Sequence, residues 1–473
     1  MNSMPKPGKR LSATAIFVVL TVVMAINWDV AYWREDNRVL QSDANQYYAY
    51  LPAVFIYHDI TLQIFHQDPT SLGVHFFPKR SPTWELVILY TCGVSVLYFP
   101  FFIVAYALAP LLGYAASGFS LPYQFAIQMS SWFYLFLGLL FLRKLLLKYF
   151  EDRIVAIVLM ATVIGTNMLW YVTGEAAMSH VYSFFLITTF LFMLDAWLEK
   201  GGFFRALFLG LLAGLISLIR PTNVLVGIFV ILWKVSSWQD LKNRFTWLLD
   251  KWYLLALMIV IAVLVWLPQL LYWKMIAGTW FYYSYPDEQG FFFNNPQLFN
   301  NLFSWRKGWL IYVPVMVFSL LGIALSYKEK KPFFLALAIY FLLAWYVVSS
   351  WWSWGYGGGL SIRPYIDSYG IFAFGMASFF TWAFRQRIWL KIPVFILFVF
   401  TLWNGAHNVA RYAHGSLHFD GNTKATYLEG FFKIEKDENF YYTIKQPDYK
   451  YFIQGIYRYK GEVEEDNEEK PKD

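Results

Sequence analysis

The stretch "LSATAIFVVLTVVMAINWDVAYWRED", residues 11–36, decides how the rest of the chain is read. Its apolar part, Leu11 to Val30, follows Lys6, Lys9 and Arg10, and a basic start before an apolar run is also how a secretory signal begins. A signal would close on small residues at a cleavage site. Here "INWDVAYWRED" is bulky and aromatic, so the run reads as a retained membrane helix. The composition agrees: of 473 residues, 58% are hydrophobic, 22% aromatic and 15% charged. Soluble domains carry about 25% charged residues. The expected fold class is an all-α integral membrane protein. The single cysteine, Cys92, excludes an intrachain disulfide and a cysteine metal cage. The net charge of +7 does not point to nucleic acid, because most basic residues outside the C-terminal tail lie in short loops between apolar runs.

Further apolar runs fall at about 124–147, 154–171, 181–198, 203–219, 222–234, 252–273, 309–327, 332–350, 366–384 and 389–408, with one more at 86–111. Lys and Arg gather at alternate ends: the N-terminal tail, "RKLLLKYFEDR", "EKGGFFR", "LKNR", "YKEKK" and "FRQR". Placing all of these in the cytoplasm gives about 11 transmembrane helices, provided 86–111 makes no single crossing. That run is expected to fold back on the outer side or to split into half-helices at Pro100. The N-terminus is then cytoplasmic and the C-terminus exterior. Segment 1–408 forms a transmembrane domain with a long first exterior loop, 32–123, whose helices lie on the membrane. Segment 409–473 forms a small exterior appendage with a disordered acidic end, "EVEEDNEEKPKD". Residues 172–180, 274–308 and 351–365 are the other exterior pieces, and 143–153 and 328–331 are interior.

Several polar groups fall in or beside the exterior pieces. Asp43, in "SDANQYYAYLP", is a general base or cation ligand at the end of a rigid helix, or else a solvated loop carboxylate among interfacial tyrosines, Tyr47, Tyr48 and Tyr50. His58 and Asp59 are adjacent, but His58, His66 and His75 lack tight metal-ligand spacing. No metal is required, and a divalent cation is only a secondary alternative. Glu175 and His180, in "TGEAAMSHVYSFF", flank a short turn, and polar groups at that depth are costly unless they face a cavity.

"LISLIRPTNVLV" is more informative. The runs on either side of Arg220-Pro221 are shorter than the about 20 residues a crossing needs. The pair is expected to turn within the membrane, which puts Arg220 at depth, where an anion is its natural partner. Arg306 and Lys307 precede a helix start, and Arg363 follows a tryptophan cluster and Gly357–Gly359. Four cations facing one outer cavity suit a phosphate-bearing lipid.

The order of these features resembles the GT-C superfamily of polytopic glycosyltransferases. It is most similar to the branch of the bacterial protein O-mannosyltransferases and aminoarabinose transferases. Asp43 follows the first helix, a long exterior loop comes next, a short helix pair meets at Arg220-Pro221, and "WWSWGYGGGLSIRP", residues 351–364, comes late. Where the mannosyltransferases carry Asp-Glu, this chain has Asp43-Ala44. The resemblance covers about residues 12–408.

It implies a glycosyltransferase of the cell inner (plasma) membrane that uses a lipid-linked, polyprenyl-phosphate sugar donor. The acceptor is a glycan, lipid or protein on the exterior (periplasmic) face, and transfer is an inverting single displacement. Asp43 then fits the base. Arg220, Arg306, Lys307 and Arg363 fit the donor phosphate, with Glu175, His180, Tyr47, Tyr48, His58 and Asp59 as further cavity residues. No cofactor is implied. Competing readings are an O-antigen-type polysaccharide polymerase or ligase, and a lipid or solute transporter. The absence of an internal repeat weighs against the transporter.

Overall fold

The computed structural model describes residues 10–73, 76–286, 289–329 and 332–461. His75, the lysines at 330 and 331 and the acidic end 462–473 lie outside the described residues. The protein is an all-α membrane protein. Its one named sheet, among the described residues, pairs Lys79–Arg80 with Leu86–Val87 in an antiparallel ladder. Among the described residues, five helices are long and apolar enough to cross a membrane: Leu11–Arg34, Leu121–Leu146, Ser179–Lys200, Trp252–Ala277 and Ile388–Ala413. Shorter apolar helices accompany them at Gly93–Leu108, Phe203–Ile219, Pro221–Leu232, Met316–Lys328 and Phe334–Ser349.

Two apolar runs expected to be single helices are broken, each for a local reason. The run 154–171 is two helices, Asp152–Ile164 and Met168–Thr173. Between them Thr166 donates its hydroxyl to Thr162 O (2.7 Å) and accepts from Met168 N (3.1 Å), a side-chain substitute for the helical ladder. The run 309–327 is Trp309–Tyr312 and Met316–Lys328, separated at Pro314, which has no N–H to give. Conversely, Gly93–Leu108 is one helix of 16 residues that continues through Pro100, not a pair of half-helices. Its neighbours hold it along its length: Tyr134 OH donates to Leu97 O (2.9 Å), Ser95 donates to Tyr47 O and Tyr98 to Ala177 O.

The chain divides into two compact units. The first comprises Met1–Tyr285, Val313–Ala344 and Arg363–Ala406. Its helices meet at small residues, as helices in lipid must when close van der Waals contact replaces a hydrophobic drive. A Cβ on Gly210 would fall 2.7 Å from Met258 O, and one on Gly322 only 1.7 Å from Gly375 O. The Trp252–Ala277 helix leaves Ile259, Val260, Val263 and Leu264 exposed on its far side, an apolar surface suited to lipid.

The second unit comprises Pro286–Tyr312, Trp345–Ile362 and His407–Asp473. In this division the tail is grouped with two earlier segments. The reason is a set of long-range ties. Arg306 Nη2 pairs with Asp420 Oδ1 (2.6 Å), Asn408 Nδ2 donates to Tyr312 O (3.1 Å), and Trp352 packs edge-on against Tyr449.

Candidate active site

The first unit brings together residues from five separated segments. Asp43 opens the Asp43–Tyr48 helix, and Ser42 before it has a left-handed φ of 52° that turns the chain into that helix. An acidic residue in a first turn is favoured by the exposed N–H groups there. One carboxylate oxygen, Oδ2, lies 2.7 Å from Arg363 Nη2, and the other, Oδ1, accepts from the Tyr90 hydroxyl at 2.9 Å. Tyr90 stacks on Tyr47 with centroids 4.7 Å apart, and the Tyr47 hydroxyl donates to Ser179 Oγ at 3.4 Å.

Arg220 reaches the same serine. Its Nη2 donates to Ser179 Oγ (3.3 Å), and its Nε lies 3.8 Å from Asp367 Oδ2. The local sequence explains its direction. A residue before proline is driven out of the α region, and Arg220 is extended at φ −151° and ψ 111°. The Phe203–Ile219 helix therefore stops there, and a 3-10 helix, Pro221–Gly227, begins at the proline. Arg363 is also followed by proline, here in the first turn of the 3-10 helix Arg363–Ser368, where a missing N–H costs nothing.

That same turn carries Asp367, buried at 1% exposure. Its Oδ1 lies 2.8 Å from His180 Nδ1, and its Oδ2 accepts from Asn223 Nδ2 at 2.9 Å. A carboxylate only accepts, so Nδ1 of His180 carries the proton; Nε2 is buried without a hydrogen-bond partner. Tyr171 covers the imidazole edge-on at 5.0 Å. One short turn thus holds a cation against Asp43 and an anion against Arg220. Arg363 keeps its charge firmly: burial opposes it, but Asp43, Tyr171, Glu175 and Tyr90 outweigh burial and raise its pKa well above the ordinary arginine value.

The other sequence candidates are placed differently. Glu175, between the Met168–Thr173 and Ser179–Lys200 helices, is near enough to Arg363 to act on its charge. Tyr48 is packed among Tyr98, Phe102 and Phe119. Tyr50 donates to Tyr90 O (2.7 Å) and lies edge-on to Tyr272. Asp59 caps its own turn, accepting from Thr61 N (3.1 Å) and Ile64 N (2.8 Å), and His58 Nδ1 contacts Val54 O (3.1 Å).

Arg306 and Lys307 belong to the second unit. Arg306 is buried, with Nε donating to Asp420 O (2.8 Å) and its guanidinium 5.0 Å from Trp354 and 5.2 Å from Phe452. Lys307 donates to Gly357 O. These contacts are structural ties within that unit.

Reading the sequence alone missed the roles of Tyr90, Ser179, Asn223 and Asp367. A signal for Asp367 was present: it stands four residues after Arg363 at the start of an apolar run. Among the described residues, no group of three or more His, Cys, Asp or Glu is arranged to hold a metal.

No protein-family model matches the chain, and no curated protein matches it in sequence. Among solved structures it is similar to the oligosaccharyltransferase AglB of Archaeoglobus fulgidus in complex with an inhibitory peptide and a dolichol-phosphate. That likeness has a TM-score of 0.52 at 11% identity, over 94% of this chain and 59% of the other. It is also similar to the apo form of the Archaeoglobus fulgidus oligosaccharyltransferase, with a TM-score of 0.50 at 12% identity, over 94% of this chain and 60% of that one. The likeness at this identity is one of fold alone. It spans about three-fifths of the length of the oligosaccharyltransferase it matches.

Proposed function

We propose that this chain is a membrane glycosyltransferase that moves a sugar from a polyprenyl-phosphate donor to an acceptor on the exterior face of the plasma membrane. The observation that carries the reading is the paired arrangement in the first unit. A carboxylate, Asp43, is presented beside an arginine, Arg363, and a second arginine, Arg220, meets the same polar cluster through Ser179. The likeness of fold supports it, and one neighbour of that fold was captured with a dolichol-phosphate.

The reaction needs a base, a phosphate clamp and a positioned acceptor. The acceptor hydroxyl or amine attacks the anomeric carbon and gives its proton to Asp43. The new bond forms as the bond from that carbon to the phosphate oxygen breaks, with inversion. The lipid leaves as polyprenyl phosphate, one negative charge richer than the esterified phosphate of the donor. Arg220 and Arg363 therefore bind the transition state better than the ground state, which is the requirement for raising rate rather than affinity alone.

The test is turnover of the purified chain with a polyprenyl-phosphate sugar, alongside binding of polyprenyl phosphate. Asp43→Asn keeps the side-chain shape and removes the proton acceptor. Transfer is expected to fall by about 10²–10⁴ with lipid binding retained. Transfer within a few-fold of wild type rules Asp43 out, and Glu175 is then the next carboxylate to test.

A further inference from the structure

The Asp43–Arg363 contact sets a problem for a base. A carboxylate held 2.7 Å from a guanidinium has that oxygen occupied. We propose that the donor phosphate takes Arg363 away from Asp43, so that the base is exposed only when the lipid phosphate is in place. This inference rests on the transferase reading and assigns separate parts to the two carboxylate oxygens.

Three observations carry it. First, the pair is accessible: the Arg363 side chain is 16% exposed and Asp43 30%, whereas Asp367 and His180 are sealed at 1% and 0%. An arriving anion meets the first pair and not the second. Second, Asp43 does not depend on Arg363 alone for its place. Oδ1 is held by the Tyr90 hydroxyl at 2.9 Å, and Tyr90 is itself fixed by stacking on Tyr47. Removal of the guanidinium frees Oδ2 while Oδ1 keeps its donor, so Oδ2 is the atom that receives the acceptor proton. Third, the backbone before Arg363 is rich in left-handed residues: Tyr356, Gly357, Gly359 and Ser361 all have positive φ. Positive φ at the non-glycine residues Tyr356 and Ser361 is strain held in place by the surroundings, of the kind that collects at ligand clamps and switch segments.

The exchange is chemically even-handed, since a guanidinium fork fits a carboxylate and a phosphate equally well. It also makes a counter-intuitive statement about affinity. In the lipid-free chain, Asp43 competes with the ligand for Arg363. Tyr90 becomes a positioning residue, acting on the reaction only through Asp43.

The experiment measures binding of polyprenyl phosphate, and of uncharged polyprenol as control, to the purified full chain in detergent. Wild type, Asp43→Asn, Arg363→Gln and the double variant are compared. Asp43→Asn is expected to bind polyprenyl phosphate about three- to tenfold more tightly than wild type, as relief of one partly exposed pair implies. In the Arg363→Gln background the same substitution should change affinity less than twofold, and polyprenol binding should not respond at all.

No gain in Asp43→Asn overturns the exchange. So does an equal gain with Arg363 already removed, which identifies simple relief of charge repulsion. A gain that extends to polyprenol overturns it too. A structure of the unsubstituted chain with polyprenyl phosphate gives the answer without relying on any variant to fold: Arg363 on a phosphate oxygen with Asp43 Oδ2 open supports the exchange, and Arg363 still on Asp43 ends it. Failure of the wild-type chain to bind polyprenyl phosphate is a different result, because it removes the transferase reading itself.

Discussion

Asp367 is the most enclosed carboxylate of the cluster, and two substitutions there should differ sharply in cost. Asp367→Ala removes the partner of His180 Nδ1 (2.8 Å) and of Asn223 Nδ2 (2.9 Å) and takes away the anion 3.8 Å from Arg220. Leaving the buried donors of His180 and Asn223 without this acceptor costs about 1–3 kcal/mol each, because those groups stay out of water. Asp367→Asn keeps the shape and can keep both hydrogen bonds. Its amide nitrogen turns toward His180, the imidazole moves its proton to Nε2, and Nδ1 becomes the acceptor; the amide oxygen still accepts from Asn223. What is lost is the negative charge facing Arg220, about 1 kcal/mol for a pair that is long and partly open on the arginine side. The assay is equilibrium unfolding in mixed micelles, followed by the fluorescence of the 22 tryptophans. The expected order is wild type, then Asn slightly below, then Ala lower by several kcal/mol. Equal loss in Asn and Ala, or none in either, refutes the assignment of Asp367 as the hub of a satisfied network.

Arg220→Ala should weaken polyprenyl phosphate binding about ten- to a hundredfold, the equivalent of a charge-assisted pair of about 1.5–3 kcal/mol, with folded yield near wild type. Unchanged affinity leaves Arg220 a structural role, through contacts such as those with Ser179 and Asp367. In the second unit, Asp420 is buried, which raises its pKa, but Lys307 and Arg306 more than offset this, and the net shift is downward. A carboxylate depressed on folding lends stability that is complete above its unfolded value, about 3.9, and is lost as pH falls through the lower folded value. Proteolytic nicking within 407–461 should therefore rise below about pH 4, and Asp420→Asn should already be sensitive at neutral pH; a pH-independent pattern in the wild type counts against this role.

Much of the architecture was legible from local chemistry. Leu11–Val30 reads as a membrane helix because it is apolar over most of its circumference for 20 residues, and no partner elsewhere has to be known for that. The helix stop at Ile219 followed from Pro221, which acts on the residue beside it. Asp43, Arg220 and Arg363 stood out because each interrupts an apolar context next to a helix end or an Arg-Pro step. The places where the reading failed were also local in kind: hydropathy does not distinguish a continuous helix from one interrupted by Thr166 or Pro314, and Pro100 looks like a breaker until the neighbours that hold its helix are known.

What no inspection of the chain supplied is which charge meets which. Asp43 and Arg363 are 320 positions apart, and His180 and Asp367 are 187 apart. Arg306 and Lys307 carry the same charge as Arg220 and Arg363 and stand just before a helix start, yet the folded chain commits Arg306 to Asp420 and Lys307 to Gly357. Helix formation and proline effects act over a few residues, so they are written in order along the sequence. Ion pairing depends on distance in space and on exclusion of water, and only the packing of distant helices sets either. That packing gave Asp43 an open partner and Asp367 a closed one, although as residues in a sequence the two are the same acid.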